Sequence, residues 1–161
     1  MGRKKRLAVQ YSSVILLIFA DYLIDFAVVK HLQPVSVKKL IPGVIRLRYT
    51  QNTGMAFSIM SDKPAVLSCI TACMILAGLI WLFFTKSNDP VYRIAAPCII
   101  AGGAANLIDR LVYGFVIDYI EPEFVNFAVF NFPDILVTCG CFAIAIRLIW
   151  LMITDKTQNT T

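Results

Sequence analysis

Two stretches of the chain, FVIDYIEP and FNFPDILV, each set an aspartate against an apolar run: Asp118 just after one, Asp134 at the start of another. Taking a carboxylate out of water is costly, so an acid in such a place calls for a partner or a reaction. Two close carboxylates cannot both ionise easily and can share one proton. The ionised member takes a proton from water while the protonated one polarises a scissile carbonyl. That is aspartic peptide hydrolysis, and it requires no cofactor, metal or nucleotide. Other hydrolytic schemes lack their parts. His31 is the sole histidine, which excludes an H-E-x-x-H zinc helix, and no G-x-S-x-G stretch is present. A divalent metal on the same acids is hard to reconcile with Arg110 close by.

Further polar residues fall near these acids. Asn106 lies three residues before Asp109 and four before Arg110, so all three share one side of a helix. Asn131 precedes Asp134 by three, which suits it to cap a helix or to hold a ligand's backbone. The small residues of AGGAAN permit close helix approach in lipid, as packing alone would also require. IRLRYTQNTGMAFSI alternates polar and apolar residues around Arg46–Thr50 and breaks at Asn52-Thr53-Gly54. Alternation predicts a short strand and the break a turn, presenting Asn52 inward; an ordinary surface loop fits the pattern equally.

The elements that position these groups follow from composition. Of 161 residues 58% are hydrophobic, and the mean hydropathy is +0.73. A soluble domain of this length cannot hide so much apolar surface, so the natural solvent is a bilayer. The net charge of +5 does not indicate nucleic acid, because only Arg3, Lys4, Lys5 and Arg6 cluster, directly before the first apolar run. That cluster predicts a juxtamembrane anchor. Spans long enough to cross a bilayer run over about 7–29, 64–84, 94–112 and 133–153. The expected fold is an all-α membrane protein, one domain over 1–161, with four transmembrane helices and a small extracytoplasmic β-containing segment. Both termini are expected inside, although the first outer connection opposes the positive-inside rule and keeps an inverted topology open. A cleavable signal peptide is the competing reading of the first span, which Asp21 and Asp25 and the lack of an A-x-A-like site disfavour. All five cysteines fall in apolar spans and are read as packing residues, and the terminal NTT carries no weight. In this layout Asp21, Asp109, Asp118 and Asp134 gather at one face of the membrane, whichever way the chain inserts.

NTGMAFS (52–58), GGAANLIDRLVYGFVIDY (102–119) and FNFPD (130–134) resemble the signature blocks of lipoprotein signal peptidase, or signal peptidase II. With the four spans, the resemblance covers nearly the whole chain. It implies a multi-pass aspartic endopeptidase of the bacterial inner membrane that removes signal peptides from prolipoproteins. The implied cut falls just before a cysteine already carrying diacylglycerol. By resemblance Asp118 matches the V-x-D-[FY] acid and Asp134 the N-x-A-D acid, the catalytic pair. Asn106, Asp109 and Arg110 match the G-x-x-x-N-x-x-D-R element that lines and orders the site. Asn131 takes the amide position before the second acid, Asn52 and Gly54 the substrate-cradling outer segment, and Asp21 the acid of D-Q-x-x-K. The expected partners are lipid-modified prolipoproteins and membrane lipid, with the protein a monomer and the site near the outer face.

The chain departs from that pattern in several places. DYLID puts Tyr22 for glutamine and Asp25 for lysine, leaving Asp21 and Asp25 as like charges four apart. Ala105 stands for a glycine and Pro133 for an alanine. Asp109 beside Arg110 equally fits a structural ion pair, and Asp21 fits a structural hydrogen-bonding acid better than a catalyst. An outer segment over 115–132 is expected to close over the site. A small proton-coupled transporter and a non-catalytic assembly factor remain the alternatives.

Overall fold

The structure, a computed structural model, describes residues 2–54 and 64–158. Four long helices carry it: α1 (Arg3–His31), α2 (Pro64–Phe84), α3 (Pro90–Tyr113) and α4 (Phe132–Gln158). Each is long and apolar enough to cross a membrane. Their outer faces are greasy: Leu16, Phe19, Met74, Phe84, Ile94, Leu111 and Met152 are each exposed, as lipid-facing side chains must be. The predicted spans match the helices to within five residues at every end, the largest differences falling at the starts of α1 and α3 and the end of α4. The basic cluster is itself helical, so α1 begins before Leu7, and α4 continues past Ile153.

Between the helices lie β1 (Val37–Ile41), β2 (Ile45–Asn52) and β3 (Val116–Pro122), an antiparallel sheet in that order. The alternation around Arg46–Thr50 is therefore strand β2, and the loop reading fails. The sheet stands on the end of the bundle because Val28 of α1 and Leu32 just after it bury against Ile117 and Tyr119 of β3. Arg46 and Arg48 of β2 pair with Glu121 of β3, and Arg46 also reaches Glu123. The hydrogen-bonded guanidinium of Arg46, opposed by burial and aided by the Arg48 charge, holds the Glu121 carboxyl below its usual range.

One expectation is corrected. Residues 116–122 are not part of a segment that closes over the site; Val116 to Tyr119 are buried in the sheet. Their burial follows from strand pairing with β2 and apolar packing on α1. Of the NTGMAFS block, residues 55–58 lie outside the described residues, as does the terminal NTT.

Helix α3 runs centrally against α1, α2 and α4. Its approach to α4 depends on glycine: a Cβ on Gly102 would lie 2.5 Å from the Pro133 carbonyl oxygen and 2.8 Å from Val137 Cγ2. On the facing helix, a Cβ on Gly140 would lie 2.6 Å from Ile99 Cγ1. Small residues thus do close the α3–α4 seam. Gly102→Ala is expected to push the start of α4 outward and to cost about 1–3 kcal/mol, the usual range for overpacking. A lowered melting temperature in detergent checks this. At the other end of α3, Gly114 (φ 83°) takes the left-handed cap, and its N–H donates to the Arg110 carbonyl at 3.1 Å. That turn sends the chain back along the bundle end as β3.

Candidate active site

The site is assembled from α3, α4, β3 and the end of β2. Asp134 falls in the first turn of α4, and Asn131 stands just before that helix. The two make a reciprocal cap: Asp134 N–H donates to Asn131 Oδ1 at 2.9 Å, and Asn131 N–H donates to Asp134 Oδ2 at 3.3 Å. Pro133 follows in the first turn, where no intrahelical N–H is lost. Asn131 is 1% exposed and gives its amide to Asn106 Oδ1 and, at longer range, the Ile117 carbonyl. Every polar end of Asn131 is thus engaged within the protein. It serves as the cap that the spacing allowed and has no free group for a ligand backbone.

Asn106, on α3, closes the network by donating from Nδ2 to Asp134 Oδ1 at 2.9 Å. Asp118 is reached from the other direction. It pairs with Thr50 in the β2–β3 ladder, and Asn52 Nδ2 donates to Asp118 Oδ2 at 2.8 Å. Asn52 Oδ1 in turn accepts the Gly54 N–H, an Asx turn that holds the amide in place. The Gly54 carbonyl accepts from Arg110 at 2.8 Å, and a second Arg110 nitrogen donates to the Asn106 carbonyl. Asn52, Gly54, Asn106, Arg110, Asn131 and both acids therefore form one connected cluster.

Asp109 and Arg110 do not form the ion pair that adjacency suggested. Among the described residues no salt bridge joins them; Asp109 Oδ2 accepts the Ile117 N–H, and Arg110 turns toward Gly54. Neighbours in a helix point about 100° apart, which is why sequence adjacency misleads here. Asp109 thereby pins the strand immediately before Asp118. Asp21 is buried in α1 within electrostatic reach of Asp109 and Asp134, and Asp25 within reach of Asp21, Asp109 and Asp118. Each has an Oδ1 without a hydrogen-bond partner, and no cation among the described residues pairs with either.

Asp118 is 2% exposed, and its Oδ1 is buried with no hydrogen-bond partner. Burial above all, and the nearby Asp134 charge, raise its pKa from 3.8 to about 7, against the lowering pull of Asn52 and Arg110. An acid whose pKa is raised toward neutrality thus lies within electrostatic reach of a second carboxyl whose two N–H donors suit a carboxylate acceptor. Such an arrangement can hold a single proton between two acids.

Tyr119 was not singled out as a site residue, although it directly follows Asp118. Its hydroxyl accepts the Phe132 N–H at 3.1 Å, satisfying one of the donors that a helix start leaves free. Burial raises the phenol's pKa, so it stays a neutral hydroxyl. Tyr119→Phe is expected to cost about 1 kcal/mol of stability. Several-fold slower turnover with an unchanged KM would show that the hydroxyl sets where α4 begins; steady-state kinetics beside a thermal melt checks both.

Comparisons with known proteins bear on the family and the fold. Residues 13–150 match the family model described as signal peptidase (SPase) II. A lipoprotein signal peptidase of Streptococcus pyogenes serotype M5 (strain Manfredo) is 40% identical over 145 residues, 90% of this chain and 94% of that protein. One from Streptococcus agalactiae serotype Ia is 36% identical over 134 residues, 83% of this chain and 87% of that one. Among solved structures, a bacterial membrane enzyme determined by the in meso method at 2.3 Å resolution superposes with a TM-score of 0.83. It is 22% identical, with 96% of this chain and 92% of that chain covered, a likeness of fold.

Proposed function

We propose, from the premise that the chain belongs to the signal peptidase (SPase) II family, that it cleaves signal peptides from bacterial prolipoproteins by aspartic chemistry. Family membership supports a protease that acts on prolipoprotein signal peptides. The aspartic mechanism and the cut before a diacylglyceryl cysteine go further. The observation that carries the aspartic mechanism is the unpartnered, buried Oδ1 of Asp118 within electrostatic reach of an Asp134 fixed by Asn106 and the Asn131 cap; the cut before the lipidated cysteine rests on the family likeness.

In this reading Asp118 holds the shared proton and Asp134 is the base. A water between them gives a proton to Asp134 as its oxygen adds to the scissile carbonyl carbon, and Asp118 protonates the carbonyl oxygen. The resulting gem-diol collapses when Asp134 passes its proton to the leaving amine nitrogen. The C–N bond breaks, and one gem-diol proton returns to Asp118 as the carbonyl re-forms. Arg110, through Gly54, and Asp109, through Ile117, keep the two acids in register. Asn52 serves Asp118 in the same way.

A lipid-linked substrate must stay partly in the bilayer, so its scissile bond arrives near the interface. The carboxylates stand where α3 ends and α4 begins, which meets that requirement; the orientation proposed places this end outside and both termini in the cytoplasm. A monomer contains every site residue named. A transporter would need ionisable groups through the depth of the bundle, yet α2 carries none. The test is a purified protein given a diacylglyceryl-modified precursor and its unmodified twin. Mass spectrometry of the product should find the lipidated cysteine at the new amino terminus and no cut in the twin. A cut at any other bond, or equal cutting of both, would overturn the assignment.

A further inference from the structure

The end of the bundle remote from the carboxylates holds a groove of about 530 Å³ between α1 and α3. Two arginines line it, Arg6 and Arg93. Arg6 is only 4% exposed, yet its guanidinium bonds are all to neutral oxygens: the Thr85 and Ser87 carbonyls and Asn88 Oδ1. Arg93 is half-buried and has no ion pair among the described residues. The nearest acid in sequence, Asp89, is already engaged by Arg147 and caps α3. A buried cation without a counter-charge is costly, and here Arg6 shares one groove with a second, half-buried cation.

Two further polar atoms in the lining side chains are unsatisfied. Arg6 Nε, a donor, and Gln10 Oε1, an acceptor, are both buried without a hydrogen-bond partner. Beyond them the groove wall turns apolar along Leu16, Leu17 and Ile94, and Leu16 and Ile94 face outward where lipid would be. Two cations in the lining, an unsatisfied donor and acceptor on Arg6 and Gln10, and an apolar wall along Leu16 match one amphiphile.

We propose that this groove binds an anionic membrane phospholipid with a hydroxylated headgroup, as in phosphatidylglycerol. The phosphate lies against Arg93 and Arg6, a headgroup hydroxyl donates toward Gln10, and an acyl chain follows the wall past Leu16. Charge decides against the rival occupant, the amino-terminal region of a signal peptide, which is itself basic and would be repelled. On the orientation proposed above, the lipid comes from the inner leaflet. The inference does not depend on the carboxylate chemistry, since the two sites occupy opposite ends of the bundle.

Native mass spectrometry of the delipidated full chain in detergent tests it, titrating dioleoylphosphatidylglycerol, dioleoylphosphatidylcholine, glycerophosphoglycerol and inorganic phosphate in separate arms. The glycerol lipid should be retained several-fold better than the choline lipid, and the two soluble arms should bind far more weakly. Arg6 ties down the α2–α3 link, so the variants are Arg93→Gln and Gln10→Leu. Arg93→Gln should weaken retention about fivefold, the usual worth of one basic residue near an anionic lipid. Gln10→Leu should weaken the glycerol lipid and leave the choline lipid unchanged. Lys38→Gln, at the far end, should change nothing. Equal retention of both lipids, or retention untouched by both groove variants, would overturn the proposal. So would headgroup or phosphate binding as tight as the lipid's, which would mark a soluble ligand's site instead.

Discussion

Asp118→Asn and Asp134→Asn are each expected to slow cleavage of a lipidated precursor by at least about 10³-fold, with the double variant little worse than either. In the mechanism proposed the two acids act as a unit around one water and one proton, so losing either leaves no complete proton circuit. Asparagine preserves shape, and both sites can still be read as folded. Asn52 can donate to an amide oxygen at 118 as it does to Asp118 Oδ2, and the Asn131 cap survives through its bond to the 134 main chain. Precursor binding should therefore persist in all three variants, measured by retention of labelled precursor in detergent. Binding without cleavage isolates the chemical step. If either asparagine variant cleaved at the parent rate, the carboxylates would be structural and the aspartic assignment would fall. Binding without cleavage by the parent as well would revive the non-catalytic reading kept open by Asp25.

Much of this was legible before any coordinates, and the reasons are physical. A membrane helix must satisfy its own backbone, so its length and apolarity are fixed by the bilayer and can be read from composition. The face on which acids fall follows from rise per residue, which is why Asp118, Asp134, Asn106 and Arg110 were placed together. What failed was anything decided by pairing across long separations. Strand β3 reads as a bare outer connection because its partner, β2, lies 66 positions away at the Asn52–Asp118 contact. Its burial makes residues 116–122 of the expected lid part of the sheet wall. Asn131 could have been a cap or a ligand contact on spacing alone; only the amide's engagement with Asn106 and Ile117 decides for the cap.

The same long-range pairing accounts for the charge pattern that confused orientation. Arg46 and Arg48 broke the positive-inside rule in the first outer connection, whereas the last outer connection was acidic. The sheet brings the two together: Glu121 and Glu123 lie against Arg46, and Glu121 against Arg48. Part of the apparent excess of positive charge is thus matched locally at the membrane surface. Counting lysines and arginines loop by loop misses this, because the count treats each connection as independent. The basic cluster at Arg3–Arg6 meets no such acidic strand.

Asp118 should also set how stability responds to pH. Its folded pKa, about 7, lies above the ordinary 3.8 because burial, and then the Asp134 charge, outweigh Asn52 and Arg110. Between those two values the folded chain holds a proton that the unfolded chain has released. The stabilising contribution of that proton is fully present below pH 3.8 and fades as pH rises through about 7. Asp118→Asn carries no such proton and escapes the loss. Its melting temperature should match or fall below the parent's near pH 4 and exceed it by several degrees at pH 8. The gap corresponds to roughly 1.4 kcal/mol per pH unit through the window, an upper bound for a group partly compensated by its neighbours. Cleavage should fall in the same direction, because a dyad with both members ionised has no acid to polarise the carbonyl. Thermal melts of parent and variant in one detergent from pH 4 to pH 9 would measure this directly. Parallel curves across that range would mean that Asp118 ionises as freely as an acid in water, and the shared proton on which the mechanism depends would not exist.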